Sequence, residues 1–320
     1  MAKTRVGVLR GGLGHEYEVS LATGGSVLQN LSDKYQVVDV LITKDGTWHV
    51  AGVPIVPVDL PKYTDIAFNA LHGEYGEDGQ IQRFLDSLNL PYTGSGHFAS
   101  ALGMNKSQSK KIFKQHGIPT PFGLDFTYSG GEASDYARNI FNKMSPPWVV
   151  KPADRGSSVG VSIARNFDEL VQAVLDAFSC SDNILIEEFV RGKEATCGVV
   201  DDFRKRDIYS LPPIEIRKPN NGQFWSYDDK YSGQTEEVCP GCFSQSEKEQ
   251  IEELSKKIHQ ALGLRHYSRT DFIVSPKGVY ALEVNTLPGL TPHSLLPKSL
   301  EAVGCSYSEF IDHLINLALK

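Results

Sequence analysis

Several features that would indicate particular classes of protein are absent from this 320-residue chain. No apolar run is long enough for a membrane span or the core of a signal peptide, so we expect a cytoplasmic protein with no membrane partner. The five cysteines are irregularly spaced, which argues against a disulfide framework. The net charge is −7, whereas nucleic-acid-binding proteins present a basic surface, so no nucleic-acid partner is expected.

Over about the first 100 residues, apolar strands alternate with helices. Strands are predicted at residues 5–9, 37–42 and 66–71, and helices at 19–31 and 81–88. Because parallel strands need crossover helices between them, this alternation predicts a doubly wound parallel α/β sheet.

The rest of the chain predicts an α+β unit, in which strands follow one another with few helices between them. Strands are predicted at 148–151, 161–164, 184–189, 195–200 and 208–216, and helices at 106–116, 167–178, 246–262 and 307–319. Ser246 and Glu249 have the spacing of a capping box at the start of the helix 246–262. Residues 218–241 are polar and show little periodicity, which is typical of a lid or binding loop.

The first strand runs into the stretch GGLGHEY, which has half of a dinucleotide-binding motif. Gly12 and Gly14 fit G-x-G-x-x-G, but Tyr17 replaces the third glycine. The acidic residue expected at the end of the second strand, Asp39, comes late. These departures disfavour an NAD(P)-dependent oxidoreductase. Glu16 lies near the predicted helix start, where its carboxylate could cap the helix or bind the ammonium group of a ligand.

A glycine- and serine-rich loop, KPADRGSSVG, follows the strand that ends at Lys151. Gly156 and Gly160 allow the backbone to approach a ligand closely, and Ser157 and Ser158 add hydroxyl donors. These features suit a phosphate, although the Walker A pattern is absent and a plain hairpin turn would also explain the glycines.

A predicted hairpin near the C-terminus carries three oxygen-bearing side chains. Glu283 and Asn285 are two residues apart and share one face of a strand, and Asp271 falls within one residue of being opposite Glu283. Mg²⁺ takes hard oxygen donors of this kind when it also binds substrate phosphates. Solvated acids are the alternative, but both residues interrupt an apolar strand, which favours a metal site. Arg269 shares the face of Asp271.

Together and in this order, the segments of the chain resemble the D-alanine–D-alanine ligases of the ATP-grasp superfamily. The resemblance covers nearly the whole chain and is carried by GGLGHEYEVS, LHGEYGEDG, PYTGSG, MNKSQSK, GIPTP, VKPADRGSSVGVS, EEFVRGKE, DDKYSG and RTDFIV…LEVNTLPGLTPHSLLP. It implies an N-terminal doubly wound parallel sheet, the pre-ATP-grasp domain, followed by a two-part ATP-grasp domain. The expected domains are 1–100 for substrate binding, 101–190 as the central lid domain, and 191–320 with the metal site and a mobile loop at 218–241.

The resemblance implies an enzyme that uses ATP to join two D-alanine molecules for peptidoglycan synthesis. ATP would phosphorylate the carboxylate of the first D-alanine, and the amine of the second would attack the acyl phosphate. Collapse of the tetrahedral intermediate would release D-alanyl-D-alanine, ADP and phosphate. Two Mg²⁺ ions, which Mn²⁺ could replace, and a homodimer are also implied.

At the amino-acid end of the site, the resemblance implies that Glu16 binds the ammonium group of the first D-alanine, with His72 nearby. Ser157 and Tyr231 would join Glu16 in tying the lid loop to this substrate. A tetrahedral intermediate also needs a preorganised oxyanion site.

The oxyanion and the transferring phosphoryl group would be stabilised by Arg269 and the backbone amide of Gly289. The carboxylate of the second D-alanine would bind at Ser294 and Leu295.

At the nucleotide end, the resemblance implies Lys106, Lys151 and Lys230 at the phosphates, Glu187, Glu188, Phe189 and Val190 at the adenine, and Glu194 at the ribose. Ser157 and Ser158 are expected at the phosphates because their loop supplies hydroxyl donors. Asp271, Glu283 and Asn285 would hold the two Mg²⁺ ions. Phe272 and Leu282 could line the adenine pocket, although core packing would explain them equally well. Four lysines occupy the stretch from 106 to 114, and we expect all but Lys106 to lie on a solvated helix face.

Three alternatives remain open. D-alanine–D-serine and D-alanine–D-lactate ligases are relatives, but Tyr231 resembles the members that use D-alanine. A non-catalytic ATP-binding regulator would be expected to lack Arg269 or a metal ligand.

Gly14, Tyr17 and Leu287 depart from the usual family residues, and Leu287 could reshape the pocket for the second substrate.

Overall fold

The computed structural model describes residues 2–156, 159–217 and 235–320. Three β-sheets with helices packed on them follow one another along the chain. This arrangement confirms the α/β and α+β architecture expected from the sequence. Among the described residues, no helix is long and apolar enough to cross a membrane.

The first sheet has five strands in the order β4-β3-β2-β1-β5. Their bounds are Arg5–Gly11 for β1, Gln36–Ile42 for β2, Trp48–Val50 for β3, Val53–Ile55 for β4 and Ile66–Asn69 for β5. As predicted, β1 is parallel to β2 and β5. The antiparallel pair β3 and β4, which the sequence did not predict, extends the sheet beyond β2.

Helices connect the strands and cover the sheets. Their bounds are Tyr17–Asn30 for α1, Gln80–Ser87 for α2, His97–Met104 for α3, Lys106–Gln115 for α4, Ala133–Phe141 for α5, Phe167–Cys180 for α6, Gln245–Ala261 for α7, Leu295–Ala302 for α8 and Tyr307–Ala318 for α9. On one face of the first sheet, Val8 and Phe68 share a core with Phe310 of α9. On the other face, Leu9 packs with Leu85 of α2. The parallel strands are therefore buried on both faces and read as continuous apolar runs.

The second sheet is antiparallel, with the strand order β6-β9-β7-β8. Its strands are Gly123–Thr127 for β6, Trp148–Pro152 for β7, Ser162–Ala164 for β8 and Asn183–Glu188 for β9. Helices α5 and α6 cover one face around the fully buried Trp148, whose indole N–H donates to the carbonyl of Met144 at 2.9 Å. Lys151 and Glu187 therefore project from neighbouring strands, β7 and β9.

The third sheet is also antiparallel and has the order β13-β12-β10-β14-β15, with β11 paired to β10. Its strands are Lys193–Phe203 for β10, Arg206–Ser210 for β11, Ile214–Arg217 for β12, Glu236–Val238 for β13, Tyr267–Ser275 for β14 and Gly278–Asn285 for β15. Helix α7 covers one face, where Ile258 packs with Phe272 and Ala281. Since side chains alternate along strands, the opposite face carries the polar residues of β14 and β15.

Two local predictions were wrong. The expected strand 208–216 is divided into β11 and β12, because Pro212 and Pro213 lie between them and supply no N–H for the ladder. The capping box of α7 is formed by Ser244 and Glu247, two residues before the predicted pair, so the helix begins one residue earlier than expected.

Candidate active site

The turn after β1 depends on glycine. Gly11 and Gly12 have φ values of +90° and +106°, and a Cβ on Gly11 would lie 2.2 Å from the carbonyl oxygen of Ile42. Tyr17 is the first residue of α1. The close contact between helix and strand comes about two turns later, where a Cβ on Gly24 would lie 2.5 Å from the Cβ of Arg10. The loop therefore lacks the glycine arrangement of a dinucleotide site.

Glu16 is the N-cap residue of α1, but its side chain makes no capping hydrogen bond. Its carboxylate instead faces two loops. A Cβ on Gly73 would lie 2.4 Å from Glu16 Oε2, and a Cβ on Gly156 would lie 3.7 Å from the same oxygen. Glu16 thus lies where the loop after β5 meets the loop that follows Lys151.

His72 anchors the loop after β5. The ring is buried, with Nε2 2.9 Å from Thr23 Oγ1 and Nδ1 3.4 Å from Glu77 Oε1. Glu77 also accepts a hydrogen bond of 2.9 Å from the backbone N–H of Gly73. These contacts fix the part of the loop that faces Glu16.

A cavity of about 290 Å³ opens between these loops, and its lining includes Glu74, Asp78, Asp154 and Arg155. Arg155 forms an ion pair with Glu74 across it. The loop after β5 and the loop after Lys151 are therefore in direct contact through their side chains.

Lys106 begins α4 with Asn105 as its N-cap. Its ammonium group is mostly buried, 3.2 Å from Glu283 Oε2 and 2.5 Å from the carbonyl oxygen of Arg155. Lys106 therefore joins the loop near Glu16 to the carboxylate hairpin of the third sheet.

Glu187 is buried between two lysines from different elements. Lys151 Nζ pairs with Oε2, and Lys110 Nζ lies 2.5 Å from Oε1 as an ion pair without the alignment of a hydrogen bond. Burial opposes ionisation of Glu187, but the two ammonium groups outweigh it and hold the pKa of the carboxyl group below its usual range.

The prediction that Lys110 lies on a solvated helix face was wrong, since the residue is 4% exposed. The prediction was right for Lys111 and Lys114, which are exposed. The signal that could have identified Lys110 is its spacing: four residues after Lys106, it lies on the same helix face.

The hairpin of β14 and β15 pairs the residues as the sequence suggested. Asp271 is directly opposite Glu283 and Arg269 is opposite Asn285, with an irregularity in the register between Asp271 and Phe272. The extra residue at this bulge is Leu282. Two carboxylates, an amide and a guanidinium group therefore share one face of the sheet.

Asp271 is held by two donors. Thr196 Oγ1 donates to Oδ1 at 2.6 Å, and Arg269 donates from Nε at 3.0 Å and from a terminal nitrogen at 3.2 Å. Burial works against the charge of Arg269, but Asp271 outweighs it and raises the pKa of the guanidinium group. Thr196 was not identified from the sequence; its place opposite Asp271 on β10 follows from strand pairing that local patterns do not encode.

The donor set of the hairpin fits Mg²⁺. Asp271, Glu283 and Asn285 supply oxygen atoms and are partly exposed on one face, so the site is open to a ligand. In the part of the chain that the structure describes, no group of three or more His, Cys, Asp or Glu side chains is arranged to hold a metal. An Mg²⁺ site here would thus need the amide of Asn285, and its Oδ1 accepts from the N–H of Leu287 at 3.0 Å.

The loop between β15 and α8 is tightly packed. Ser294 is the N-cap residue of α8, and its Oγ lies 3.1 Å from the N–H of Thr291 and 2.8 Å from Thr291 Oγ1. A Cβ on Gly289 would lie 2.9 Å from Ser294 Oγ, and Leu295 is buried as the first residue of the helix. Backbone amides at such a helix N-terminus favour a carboxylate.

Known proteins with similar sequences show which family the chain belongs to. A profile described as "D-ala D-ala ligase N-terminus" matches residues 5–61 and 55–95, and one described as "D-ala D-ala ligase C-terminus" matches residues 112–316. A D-alanine–D-alanine ligase from Geobacter sulfurreducens is 39% identical over 99% of this chain and 95% of its own length. The chain belongs to the D-alanine–D-alanine ligase family.

Solved structures of family members are similar over their full length. A D-alanine–D-alanine ligase from Bacillus anthracis, complexed with ATP, has a TM-score of 0.81 and 34% identity, covering 99% of this chain and 97% of that one. The D-Ala:D-Ser ligase VanG from Enterococcus faecalis has a TM-score of 0.87 and 27% identity, covering 99% and 100%.

The segment that the family resemblance assigns to adenine is tied into the second sheet. Glu188 accepts from the N–H of Phe122 at 2.9 Å and donates its own N–H to the carbonyl of the same residue. The N–H of Phe189 donates to the carbonyl of Pro147, and Val190 is partly buried. This segment therefore has a fixed position next to Glu187.

The remaining residues with a role implied by the D-alanine–D-alanine ligase family differ in their surroundings. Phe272 is buried in the core under α7, whereas Leu282 is partly exposed at the bulge. Glu194 lies on β10 two residues from Thr196 and shares its face. Leu287 is buried, and a Cβ on Gly94 would lie 2.8 Å from its Cδ2, so its side chain packs towards the N-terminal unit.

Four residues with an implied role lie outside the described residues: Ser157, Ser158, Lys230 and Tyr231. The same holds for most of the predicted loop 218–241. Its described end, from Thr235 onward, includes β13.

Proposed function

We propose that this member of the D-alanine–D-alanine ligase family uses ATP to join two D-alanine molecules through an acyl phosphate, supplying D-alanyl-D-alanine for peptidoglycan. One observation carries the proposal. The stretch of the loop that includes Arg155 and Gly156 lies between the carboxylate of Glu16 and the ammonium group of Lys106, which in turn contacts Glu283. A group bound at Glu16 would thus lie beside the charges suited to a nucleotide.

The first D-alanine binds with its ammonium group at Glu16. Because the loop around His72 is fixed by Thr23 and Glu77, the carboxylate of Glu16 keeps its direction. Ser157 and Tyr231 complete this end of the site by tying the lid loop to the substrate, which excludes water from the acyl phosphate.

Phosphoryl transfer takes place between Glu16 and the hairpin. Lys106, Lys151 and Lys230 hold the phosphates, and their positive charge offsets the charge of the triphosphate. Arg269 and the N–H of Gly289 stabilise the transferring phosphoryl group and then the oxyanion. The carboxylate oxygen of the first D-alanine attacks the γ-phosphorus, and ADP leaves.

Asp271, Glu283 and Asn285 would hold two Mg²⁺ ions, which would neutralise phosphate charge during transfer. Mn²⁺ could replace them, since it accepts the same oxygen donors. The adenine lies along Glu187, Glu188, Phe189 and Val190, with Leu282 beneath it, and the ribose lies at Glu194; Phe272 supports this wall from the core side. These assignments rest on the family resemblance and on the shared face of the strands.

The second D-alanine binds at the N-terminus of α8. Its carboxylate lies at Ser294 and Leu295, and its neutral amine attacks the acyl phosphate. Attack forms the C–N bond, the nitrogen gives up one proton, and collapse of the tetrahedral intermediate breaks the C–O bond to the phosphate. We infer D-alanine as the second substrate because Tyr231 resembles the members that use D-alanine and because the full-length curated relatives are D-alanine–D-alanine ligases. A D-serine ligase is the second candidate, supported by the likeness to VanG.

The organisation expected from the family also belongs to the proposal. Residues 1–100 bind the first substrate, 101–190 form the lid domain, and 191–320 carry the hairpin. The enzyme acts in the cytoplasm, where its substrates ATP and D-alanine would be available. The family resemblance implies that it is a homodimer.

Phosphate release with ATP and Mg²⁺ against D-alanine, D-serine, D-lactate and L-alanine tests the function. We expect rapid release with D-alanine alone and, at neutral pH, little with the other three. A higher rate in mixtures of D-alanine with D-serine or D-lactate, with the mixed product formed, would overturn the assignment of the second substrate. No release with any amino acid would leave a non-catalytic ATP-binding protein as the better interpretation.

A further inference from the structure

Lys110 is a buried cation inside the site for which the proposed function has given no task. It lies one helical turn after Lys106 on α4, on the same buried face of the helix. Its ammonium group is surrounded by acceptors: Glu187 Oε1 at 2.5 Å, Thr120 Oγ1 at 2.7 Å and the carbonyl oxygen of Ala281 at 3.5 Å. Lys110, Glu187 and Lys151 are buried to a similar extent, with 4%, 2% and 6% of each residue exposed, so the three charges lie together away from water.

The charges around Glu187 explain why a second lysine is present. Lys151 and Glu187 alone would form a neutral buried pair, and Lys151 would have its charge balanced before a phosphate arrived. Lys110 occupies the side of Oε1, while Lys151 occupies the side of Oε2. The cluster of Lys110, Glu187 and Lys151 therefore carries one net positive charge in a dry environment, where a charge acts strongly on its neighbours.

We propose that Lys110 is a positioning residue for ATP: by sharing the carboxylate of Glu187, it leaves Lys151 with an unbalanced positive charge directed at the nucleotide phosphates. The inference rests on the proposed function, in which Lys151 binds those phosphates. It assigns Lys110 an effect on phosphate groups that is transmitted through Glu187 and Lys151, without contact between Lys110 and the nucleotide.

Burial, the largest influence, lowers the pKa of Lys110 to about 8, with the attraction of Glu187 opposing it and the repulsion of Lys151 adding to it. Near neutral pH the residue is therefore mainly charged, as the geometry requires.

The test compares two probes that share adenosine and differ in phosphate. Dissociation constants of AMP-PNP with Mg²⁺ and of adenosine are measured by calorimetry at pH 7 for the wild type, Lys110→Met and Lys110→Arg. We expect Lys110→Met to weaken AMP-PNP on the order of tenfold, as loss of a supporting contact in a site typically does, and to leave adenosine within about twofold. Lys110→Arg, which keeps the charge, restores most of the affinity for AMP-PNP.

Lys111→Met is the matched control, since the neighbouring lysine on the same helix is exposed and should affect neither probe. If Lys110→Met does not fold, Lys110→Gln serves instead, because its amide can still donate to Thr120. In a Glu187→Gln background, the effect of Lys110→Met on AMP-PNP should disappear, since the carboxylate that transmits it is gone.

Equal weakening of both probes would show a structural role and overturn the inference, and so would unchanged binding of AMP-PNP. A wild type that binds neither probe would overturn the proposed function itself. The two failures are thus distinguishable.

Discussion

The amino-acid end and the nucleotide end of the proposed active site are built in different ways. At the amino-acid end, Glu16 is positioned by a turn only a few residues away, which follows Gly11 and Gly12, and by the adjoining loop at Gly73. At the nucleotide end, Lys106 contacts Glu283, which lies 177 residues further along the chain. The amino-acid end is built mainly from two loops of the first 80 residues, whereas the nucleotide end is assembled from the second sheet, the third sheet and helix α4.

This difference matches the ligands proposed for each end. An ammonium group is small and needs one carboxylate with a fixed direction, which a tight turn can provide. A triphosphate carries several charges over a longer distance, so its site needs cations from separate elements together with carboxylates for a metal. Substitutions at the two ends should therefore affect different kinetic constants.

The largest effect is expected at the nucleotide end. Glu283→Gln removes one of the two carboxylates opposite each other on the hairpin, and we expect kcat to fall about 10³-fold, or about 4 kcal/mol in activation free energy. The measurement is steady-state phosphate release at saturating D-alanine, with a thermal melt to show that the fold survives. Glu301→Gln, exposed on α8, is the control and should behave as the wild type. Retained turnover would refute the metal assignment.

Glu16→Gln tests the other end. Loss of the charge should raise KM for the first D-alanine on the order of 100-fold, as truncation of one partner of a charge pair does, while KM for ATP stays within about twofold. Initial rates over a grid of both substrates measure this split. Glu18→Gln is the control, because that side chain is 76% exposed on the first turn of the same helix. A rise in KM for ATP alone would reverse the assignment of the two ends.

A smaller effect at the same end is expected for Gly73→Ala. The added Cβ would lie 2.4 Å from Glu16 Oε2, so the carboxylate must move, and KM for the first D-alanine should rise about tenfold. Gly117→Ala separates this from backbone strain: Gly117 has φ of +63°, against +64° at Gly73, but nothing lies within 4 Å of its added Cβ. Equal KM values in the two variants would show that Glu16 is not constrained by the loop.

The smallest effect concerns the joint between the N-terminal unit and the third sheet. Gly94 donates its N–H to His266 Nδ1 at 3.0 Å, so this ring nitrogen must be unprotonated. Burial, and then Arg265, lowers the pKa of His266 to about 4, with Asp201 opposing this and His259 and His313 adding to it.

In the unfolded chain, His266 has a pKa of about 6.5 and takes up a proton at a higher pH than it does in the folded protein. The free energy of unfolding should therefore decrease as the pH falls from about 6.5 to about 4. His266→Asn keeps an acceptor, tolerates the positive φ of 67°, and should make the decrease shallower. Urea unfolding at pH 7 and pH 5 measures the difference; the same slope in both proteins would contradict the assignment.

Features that are fixed by nearby residues were predictable from the sequence, whereas contacts between distant elements were not. The pairing of Asp271 with Glu283 was predictable, because a short turn fixes the register of a hairpin. The place of Glu16 at a helix start followed from the strand–glycine–helix pattern. The contact between Lys110 and Glu187 was not predictable, since it joins a helix to a distant strand and a lysine on a helix is usually exposed.

The central claim is that a phosphoryl group held at the hairpin end is transferred to a carboxylate held at the Glu16 end. It is tested most directly with D-alanine labelled with ¹⁸O in both carboxylate oxygens, in the presence of ATP and Mg²⁺, by mass analysis of the phosphate released. Transfer through an acyl phosphate predicts one ¹⁸O atom in each phosphate formed with dipeptide. Phosphate without ¹⁸O would mean that ATP is cleaved by water, and would contradict the account.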